Sequence, residues 1–441
     1  MKGFRKGGIH PSPMKITAGA ALKTVSLPQK LYIPLSQHIG KPAVALVKPG
    51  DEVEALQMIA RADGFVSAPV HSPVAGKVTA IGNFPDAQGN PAAMIEITPS
   101  AEAGFPAPDK PENHDYETGL WFAPDEIRRA VAEAGIVGMG GAAFPTAVKL
   151  NPPKDAAIDT VILNGAECEP FLTCDDTLMR LYPEKILMGG ELIRVALGAQ
   201  RLVVGIESNK PEAAAAMREA SRRLGKGEIE VLRTRYPQGG EKQLIEAIAS
   251  REVPAGKLPA DVGVVVDNVA TAYAVYNAVF RHRPLTERIV TLTLPGSPGS
   301  GNYLVPAGMR YSDLLEAAGI TLPEEECKVI AGGPMMGRAV SNTDAPIVKA
   351  FSGLTVLHGR HLHRNPEQPC IRCGKCTCVC PMGLEPYFLY KLAKNSRWED
   401  MEANAALSCV ECGSCQWSCP ASKPILDCIR LGKRQIRNLK R

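Results

Sequence analysis

Up to about residue 110 the apolar positions come in short β-branched runs punctuated by Gly, Pro and Asp, as in KPAVALVKPGDEV and FVSAPVHSPVAGKVTAIG. This punctuation predicts short strands and tight turns. From about 120 to 285 the pattern changes. PDEIRRAVAEAG spaces its apolar residues at helical intervals, with Asp125 near the helix start, where the dipole favours an acid. TVILNG, RLVVGIES, IEVLRT and VGVVVDN are short buried-type strands, and helical segments such as KPEAAAAMREASRRLG and VATAYAVYNAVFRH alternate with them. Alternation of this kind predicts crossovers and a largely parallel, Rossmann-like sheet covered on both faces. Ligands on such sheets bind beyond the carboxyl ends of the strands. Residues 286–360 return to strand composition: GNYLVPAGMRYSDLLEAAGI reads as a hairpin entering a helix, and CKVIAGGPMMG as a strand ending in a Gly-rich turn. The last piece, 362–441, is helical between and after two cysteine strings. Its basic tail should bury Ile425, Ile429, Ile436 and Leu439 on one face. The chain is therefore expected to be multidomain α/β, with units at 1–110, 120–285, 286–360 and 362–441.

Composition narrows the function. A net charge of +4 over 441 residues gives no bulk electrostatic reason to bind nucleic acid. No apolar run approaches the ~20 residues of a membrane span, and the basic start lacks the apolar stretch of a secretory signal. A cytoplasmic, reducing setting follows, and there cysteines serve metal or redox chemistry rather than disulfides. Ten of the thirteen cysteines lie between Cys370 and Cys428.

Their spacing is specific. Cys370, Cys373, Cys376 and Cys380 precede Pro381; Cys409, Cys412, Cys415 and Cys419 precede Pro420, each 39 residues after its counterpart. This C-x2-C-x2-C-x3-C-P run holds 4Fe–4S clusters in ferredoxins, and its fourth cysteine ligates the other cluster. One cluster is thus assigned to Cys370, Cys373, Cys376 and Cys419, the other to Cys409, Cys412, Cys415 and Cys380. Structural zinc would instead use two separated C-x2-C knuckles. Cys378, Cys327 and Cys428 are expected to be small buried hydrophobes, and Cys168 with Cys174 does not by itself make a metal site.

Clusters move single electrons, so a donor or acceptor is needed. GIVGMGGAAFPTAVKL places Gly138, Gly140 and Gly141 in a loop suited to a phosphate, with Lys149 to add charge. LNGAECEPF, RYPQGGEKQLI with Gly239 and Gly240, and VVVDNVAT with Asn268 bring further polar groups to the same sheet edge. Together they outline a nucleotide-sized site.

GMGGAAFPTAVK, NGAECEP, YPQGGEKQL and DNVAT, in this order, resemble the FMN- and NADH-binding subunit of respiratory complex I. With FRKGGIHP and the twin cysteine strings, nearly the whole chain resembles the C subunit of the Rnf electron-transport complex, a membrane-associated ferredoxin:NAD oxidoreductase of bacteria. VKPGDEV and HSPVAGKV resemble the halves of a β barrel-sandwich domain, and IARADGFVSAPV between them lacks a carrier lysine, so the first unit reads as a scaffold. The third unit resembles a small β-grasp module of the soluble-ligand-binding type, and the fourth a helical two-cluster ferredoxin domain. The resemblance implies that Gly138, Gly140, Gly141 and Lys149 cradle the FMN phosphate and that Asn164 and Asn268 hydrogen-bond the flavin. Phe144, Glu169, Tyr236 and Glu241 would border NAD(H). The chain departs from complex I at Met139, Leu150 and Ala166, where that motif carries Arg, Trp and an acid. The implied reaction moves a hydride between NADH and FMN and single electrons to two 4Fe–4S clusters, with no acid–base or covalent residue required. Implied partners are the membrane and ferredoxin-accepting Rnf subunits and no nucleic acid, and the implied place of this chain is peripheral, on the cytoplasmic face of the bacterial inner membrane. The basic tail would touch anionic lipid or a partner protein, or cap the ferredoxin domain. A flavin-dependent cobalamin reductase, or a relay subunit without NADH activity, shares this domain set.

Overall fold

The computed structural model describes residues 1–104, 122–153, 156–362 and 365–440. The unit boundaries drawn near 110 and 120 lie outside the described residues.

The central unit is a four-stranded, all-parallel sheet in the order Glu228–Leu232, Arg201–Glu207, Thr160–Gly165, Val264–Asn268. Apart from the partly exposed edge strand Glu228–Leu232, its strands are near-continuous apolar runs because both faces are buried. Val161 and Leu163 pack with helices Pro183–Leu197 and Val269–Arg281, while Ile162 between them packs with Glu241–Ala249 on the opposite face. Fully burying each such side chain contributes about 1.5–3 kcal/mol. The two helices on the first face approach so closely that a Cβ on Gly189 would run into the carbonyl of Ala272. Asn164 and Asn268 are register partners at the carboxyl ends of adjacent strands.

The first unit forms two small antiparallel sheets: Leu31–Pro34, Pro91–Pro99, Gly76–Pro85, Glu52–Val53, and Val44–Ala45, Met58–Arg61, Val70–His71. The third is a six-stranded mixed sheet around Glu287–Thr293, with the helix Tyr311–Ala317 against it. Its edge strand, Leu22–Thr24, comes from the N-terminal region. The two units share one core, in which Ile33, Ile95 and Val53 meet Val290, Leu354 and Val356.

The last unit packs Leu389, Leu392 and Met401 against Ile425, Ile429 and Ile436 of the helix Ile425–Leu439. Leu439, expected on that buried face, is 68% exposed, because the final turn runs beyond the core. Cys378, expected to be buried, is exposed. It ends the short helix Lys375–Cys378 on the outer side, as does its counterpart Trp417, itself 53% exposed. Cys327 and Cys428 are half-buried rather than core. Among the described residues no helix is long and apolar enough to cross a membrane.

Candidate functional site

The glycine loop leaves the helix Pro124–Glu133 and is closed by Gly138 N–H donating to the Phe144 carbonyl at 2.8 Å. Gly140 takes a positive φ of 75°, and a Cβ there would stand 2.9 Å from Nδ2 of Asn268. A Cβ on Gly138 would lie 3.9 Å from the Lys149 ammonium, whereas Gly141 faces open space. Lys149 Nζ donates to the Val266 carbonyl at 2.8 Å and to Asp267 Oδ1 at 3.1 Å. Burial works against its charge, but Asp267 and Glu241 together raise its pKa above the ordinary lysine value. A glycine cradle with an ammonium beneath it fits a phosphate-bearing cofactor.

The two asparagines are already engaged. Asn268 caps the helix Val269–Arg281, its Oδ1 accepting from Ala270 N at 2.7 Å while its Nδ2 donates to Asp175 Oδ2 at 2.7 Å. Asn164 donates to the Gly239 carbonyl at 2.8 Å and accepts from Ala166 N. They tie three strand-end loops together. Gly239 N–H in turn donates to Cys168 Sγ, and a side chain at Gly239 would meet that sulfur at 3.2 Å. Met139, Leu150 and Ala166 are all buried, and the Met139 sulfur accepts from the Arg288 guanidinium.

The cysteine strings repeat in backbone as well as in sequence. Arg372 and Glu411 (φ 55° and 57°), Gly374 and Gly413 (73° and 78°), and Gly383 and Ser422 (65° and 50°) are left-handed pairs at the same offset. Non-glycine residues rarely adopt this conformation. Here it turns amides toward sulfur, with Glu411 N–H donating to Cys409 Sγ at 3.4 Å. Cys380, Cys409, Cys412 and Cys415 line one cavity whose other walls are apolar, including Leu384, Leu426 and Ile429. Burial pushes the Cys409 thiol up to about 11, with Cys412 and Cys380 adding to the shift. Burial also raises Cys412 and Cys415, and Cys380 again contributes. Thiols gathered in an apolar pocket ionise readily only with a cation among them, so this donor set fits a metal cluster. Cys376 is raised by burial and feels Cys419 across the pseudo-repeat. Cys370 and Cys373 are exposed. Of the two crossed sets read from spacing, the structure gathers Cys380, Cys409, Cys412 and Cys415 around one cavity, and of the other it links only Cys376 with Cys419.

Tyr236 joins the two halves. It is 1% exposed, and its hydroxyl donates to the Cys412 carbonyl at 2.7 Å. It packs with Ile9, Cys412, Cys168, Met335, Val379 and Val410. It therefore faces the inner cysteine pocket and not open space. Glu169, nearby, accepts from the amides of Met335 and Met336 at 3.1 and 2.7 Å, pinning the Gly-rich turn of the third unit over the junction. Burial pushes its carboxyl up to about 7, the two amides opposing. Phe144 and Lys149 are half-buried, and Gly140, Gly141 and Glu241 are exposed.

Two family models match. The RnfC barrel sandwich hybrid domain covers residues 3–102, and the Nuo51 FMN-binding domain covers residues 131–277. The C subunit of the Na(+)-translocating ferredoxin:NAD(+) oxidoreductase complex of Acetobacterium woodii is 41% identical over 98% of this chain and 97% of its own length. That of the proton-translocating complex of Clostridium ljungdahlii is 41% identical over 91% of this chain and 86% of its own. That of the ion-translocating oxidoreductase complex of Rhodobacter capsulatus is 43% identical over 87% and 74%. The chain belongs to the C-subunit family of these complexes. A solved NAD+-reducing NiFe hydrogenase shares the fold, with a TM-score of 0.52 at 22% identity over 71% of this chain and 62% of that one.

Every flavin-side candidate of this family member, from Gly138 to Asn268, falls inside the matched FMN-binding domain. The match to the barrel sandwich begins at residue 3, although the strands of its sheets begin at Leu31. Of the intervening segment, residues 4–17 lie against the site, while Leu22–Thr24 edges the sheet of the third unit. Asp267 and the turn 332–337 also border the site and were not among the site candidates, and Cys168, set aside in sequence as no metal site by itself, borders it through Gly239. Asp267 sits inside the DNVAT motif, and that adjacency was the available signal.

Proposed function

We propose that this protein passes electrons between NAD(H) and iron–sulfur clusters by way of FMN. It would do so as the peripheral NAD-side subunit of an ion-translocating ferredoxin:NAD oxidoreductase complex. The observation that carries this reading is the hydrogen bond from Tyr236 to Cys412. It joins the flavin-side loop 236–241 directly to the pocket of one cysteine set.

Gly138, Gly140, Gly141 and Lys149 would hold the FMN phosphate, while Asn164 and Asn268 order the loops around the ring. Phe144, Glu169 and Glu241 would receive the nicotinamide nucleotide, and Tyr236 would lie behind the flavin toward the cysteines. Bound FMN supplies the conversion between hydride and single-electron chemistry. Cys380, Cys409, Cys412 and Cys415 would hold an inner 4Fe–4S cluster, shielded by Met335, Val379 and Val410. Cys370, Cys373, Cys376 and Cys419 would hold an outer one, whose exposed edge at Cys370 and Cys373 suits exchange with another subunit. This chain would lie peripherally at the cytoplasmic face of a bacterial inner membrane, against the membrane subunits of that complex. Relatives at equal identity are named for different ions, so ion choice belongs to those membrane subunits.

The test is anaerobic reconstitution with iron, sulfide and FMN, followed by NADH titration. Flavin bleaching with partial cluster reduction is expected. Zinc at the eight cysteines, or iron without flavin, overturns the proposal.

A further inference from the structure

On the electron-transfer reading proposed above, we infer that the N-terminal segment Lys2–Thr17 is a strap that positions the inner cysteine pocket against the flavin-side loops. Four hydrogen bonds form a connected path. Gly8 N–H donates to the Val379 carbonyl at 2.8 Å, next to Cys380. Ile9 and Tyr236 exchange backbone hydrogen bonds at 2.8 and 2.9 Å. The Tyr236 hydroxyl closes on Cys412 at 2.7 Å. Two ligands of one pocket, Cys380 and Cys412, are thereby held from the same short stretch.

The fit at Cys380 leaves no room. Gly7 has a φ of 67°, and a Cβ there would lie 2.5 Å from both the carbonyl carbon and oxygen of Cys380. Arg235, adjacent to Tyr236, donates to the carbonyls of Phe4 and Gly7 and lies over the Phe4 ring at 4.6 Å. Further along, the buried Lys15 ammonium donates to three carbonyls of the loop carrying Glu169: Glu167 at 2.7 Å, Glu169 at 2.9 Å and Leu172 at 2.6 Å. Phe171 N–H donates to the Pro13 carbonyl at 3.1 Å, and Thr17 pairs with Thr173 at 2.6 Å. One segment thus sets the Glu169 loop at one end and the inner pocket at the other. Their separation is fixed by the covalent chain between Gly7 and Lys15.

The strap is tested by Gly7→Ala against Gly19→Ala in the full, cofactor-loaded chain. Gly19 has a φ of 73° with nothing within 4 Å, so it carries the same backbone strain without the contact. Gly7→Ala should keep its FMN and its bleaching by NADH. It should alter the EPR signal of the reduced inner cluster and slow cluster reduction by about tenfold or more, since misplacement by about 1 Å suffices for such losses. Gly19→Ala should match the parent in both. Indistinguishable EPR signals and rates in the two variants would overturn the strap. If Gly7→Ala does not fold, amide exchange in the unmodified chain decides. Protection at Gly8, Ile9 and Tyr236 should rise together on iron loading while Ala18 stays unchanged, and no change at the three amides refutes the inference. A parent protein that shows no NADH-dependent bleaching would instead count against the electron-transfer reading, and the EPR and exchange comparisons would still report on the strap.

Discussion

Replacing Lys149 with Met removes the one basic partner that the described residues give Asp267. The Asp267 side chain is 0% exposed and that of Lys149 is 24% exposed. Oδ1 of Asp267 takes the ammonium at 3.1 Å, and Oδ2 has no hydrogen-bond partner among the described residues. Losing one member of a buried pair costs about 3–5 kcal/mol, and the partial exposure of Lys149 places this case near the lower figure. Asp267→Asn alone leaves Lys149 its Val266 carbonyl and solvent access, a loss of about 1–1.5 kcal/mol. In Lys149→Met/Asp267→Asn no charge remains buried and only hydrogen bonds are missing, so the double variant should fall close to Asp267→Asn. The interaction energy is therefore close to the cost of Lys149→Met itself, ~3 kcal/mol, large enough to separate from additive behaviour. Burial raises the Asp267 carboxyl above its ordinary range while Lys149 opposes. Without Lys149 the carboxyl rises further, so the cost in the single variant should shrink as pH falls and Asp267 takes a proton. Amide exchange along Val264–Asn268, measured on flavin-free protein, reads this local free energy without contributions from the other units. Additive single and double variants, or a penalty independent of pH, would show that the pair is not a unit and that Lys149 is held by something else.

Glu169→Gln should flatten the pH dependence of unfolding. Its carboxyl stands at about 7 against 4.5 in the unfolded chain, so the native state binds the extra proton between those values and loses stability as pH rises across them. Urea midpoints across that window measure the slope, and an unchanged slope in the variant refutes the assignment. At the cysteine strings, Cys378→Ser should leave iron content unchanged, whereas Cys380→Ser, two residues on, should lower it. Equal losses in the two variants would dismantle the crossed ligand sets.

What could be read from sequence was set by neighbours in the chain. TVILNG and VGVVVDN announce strands buried on both faces because alternate residues such as Val161 and Ile162 meet different helices, which requires every position to be apolar. The repeat of the cysteine strings was legible for a similar reason. Each cysteine coil is local, and its left-handed residues recur at the same offset as its sulfurs. Strand alternation in the first and third units says that a face is buried but not against what, so their shared core was invisible. Tyr236 was read as bordering the nucleotide because an aromatic ring beside a glycine pair is compatible with either side. Only the arrival of Cys412 from 176 residues away decides that its hydroxyl points inward. The segment Lys2–Thr17 shows no periodicity because its partners are scattered, from the Glu167–Thr173 loop to Arg235, Tyr236 and Val379. The two adjacent glycines there look in sequence like nothing more than a turn. In the folded chain a side chain at Gly7 would meet the Cys380 backbone and one at Gly8 would meet Phe4 and Arg235. A side chain at either glycine would collide, and the two mark where the N-terminal segment, the loop at Arg235 and the Cys380 backbone come within van der Waals distance.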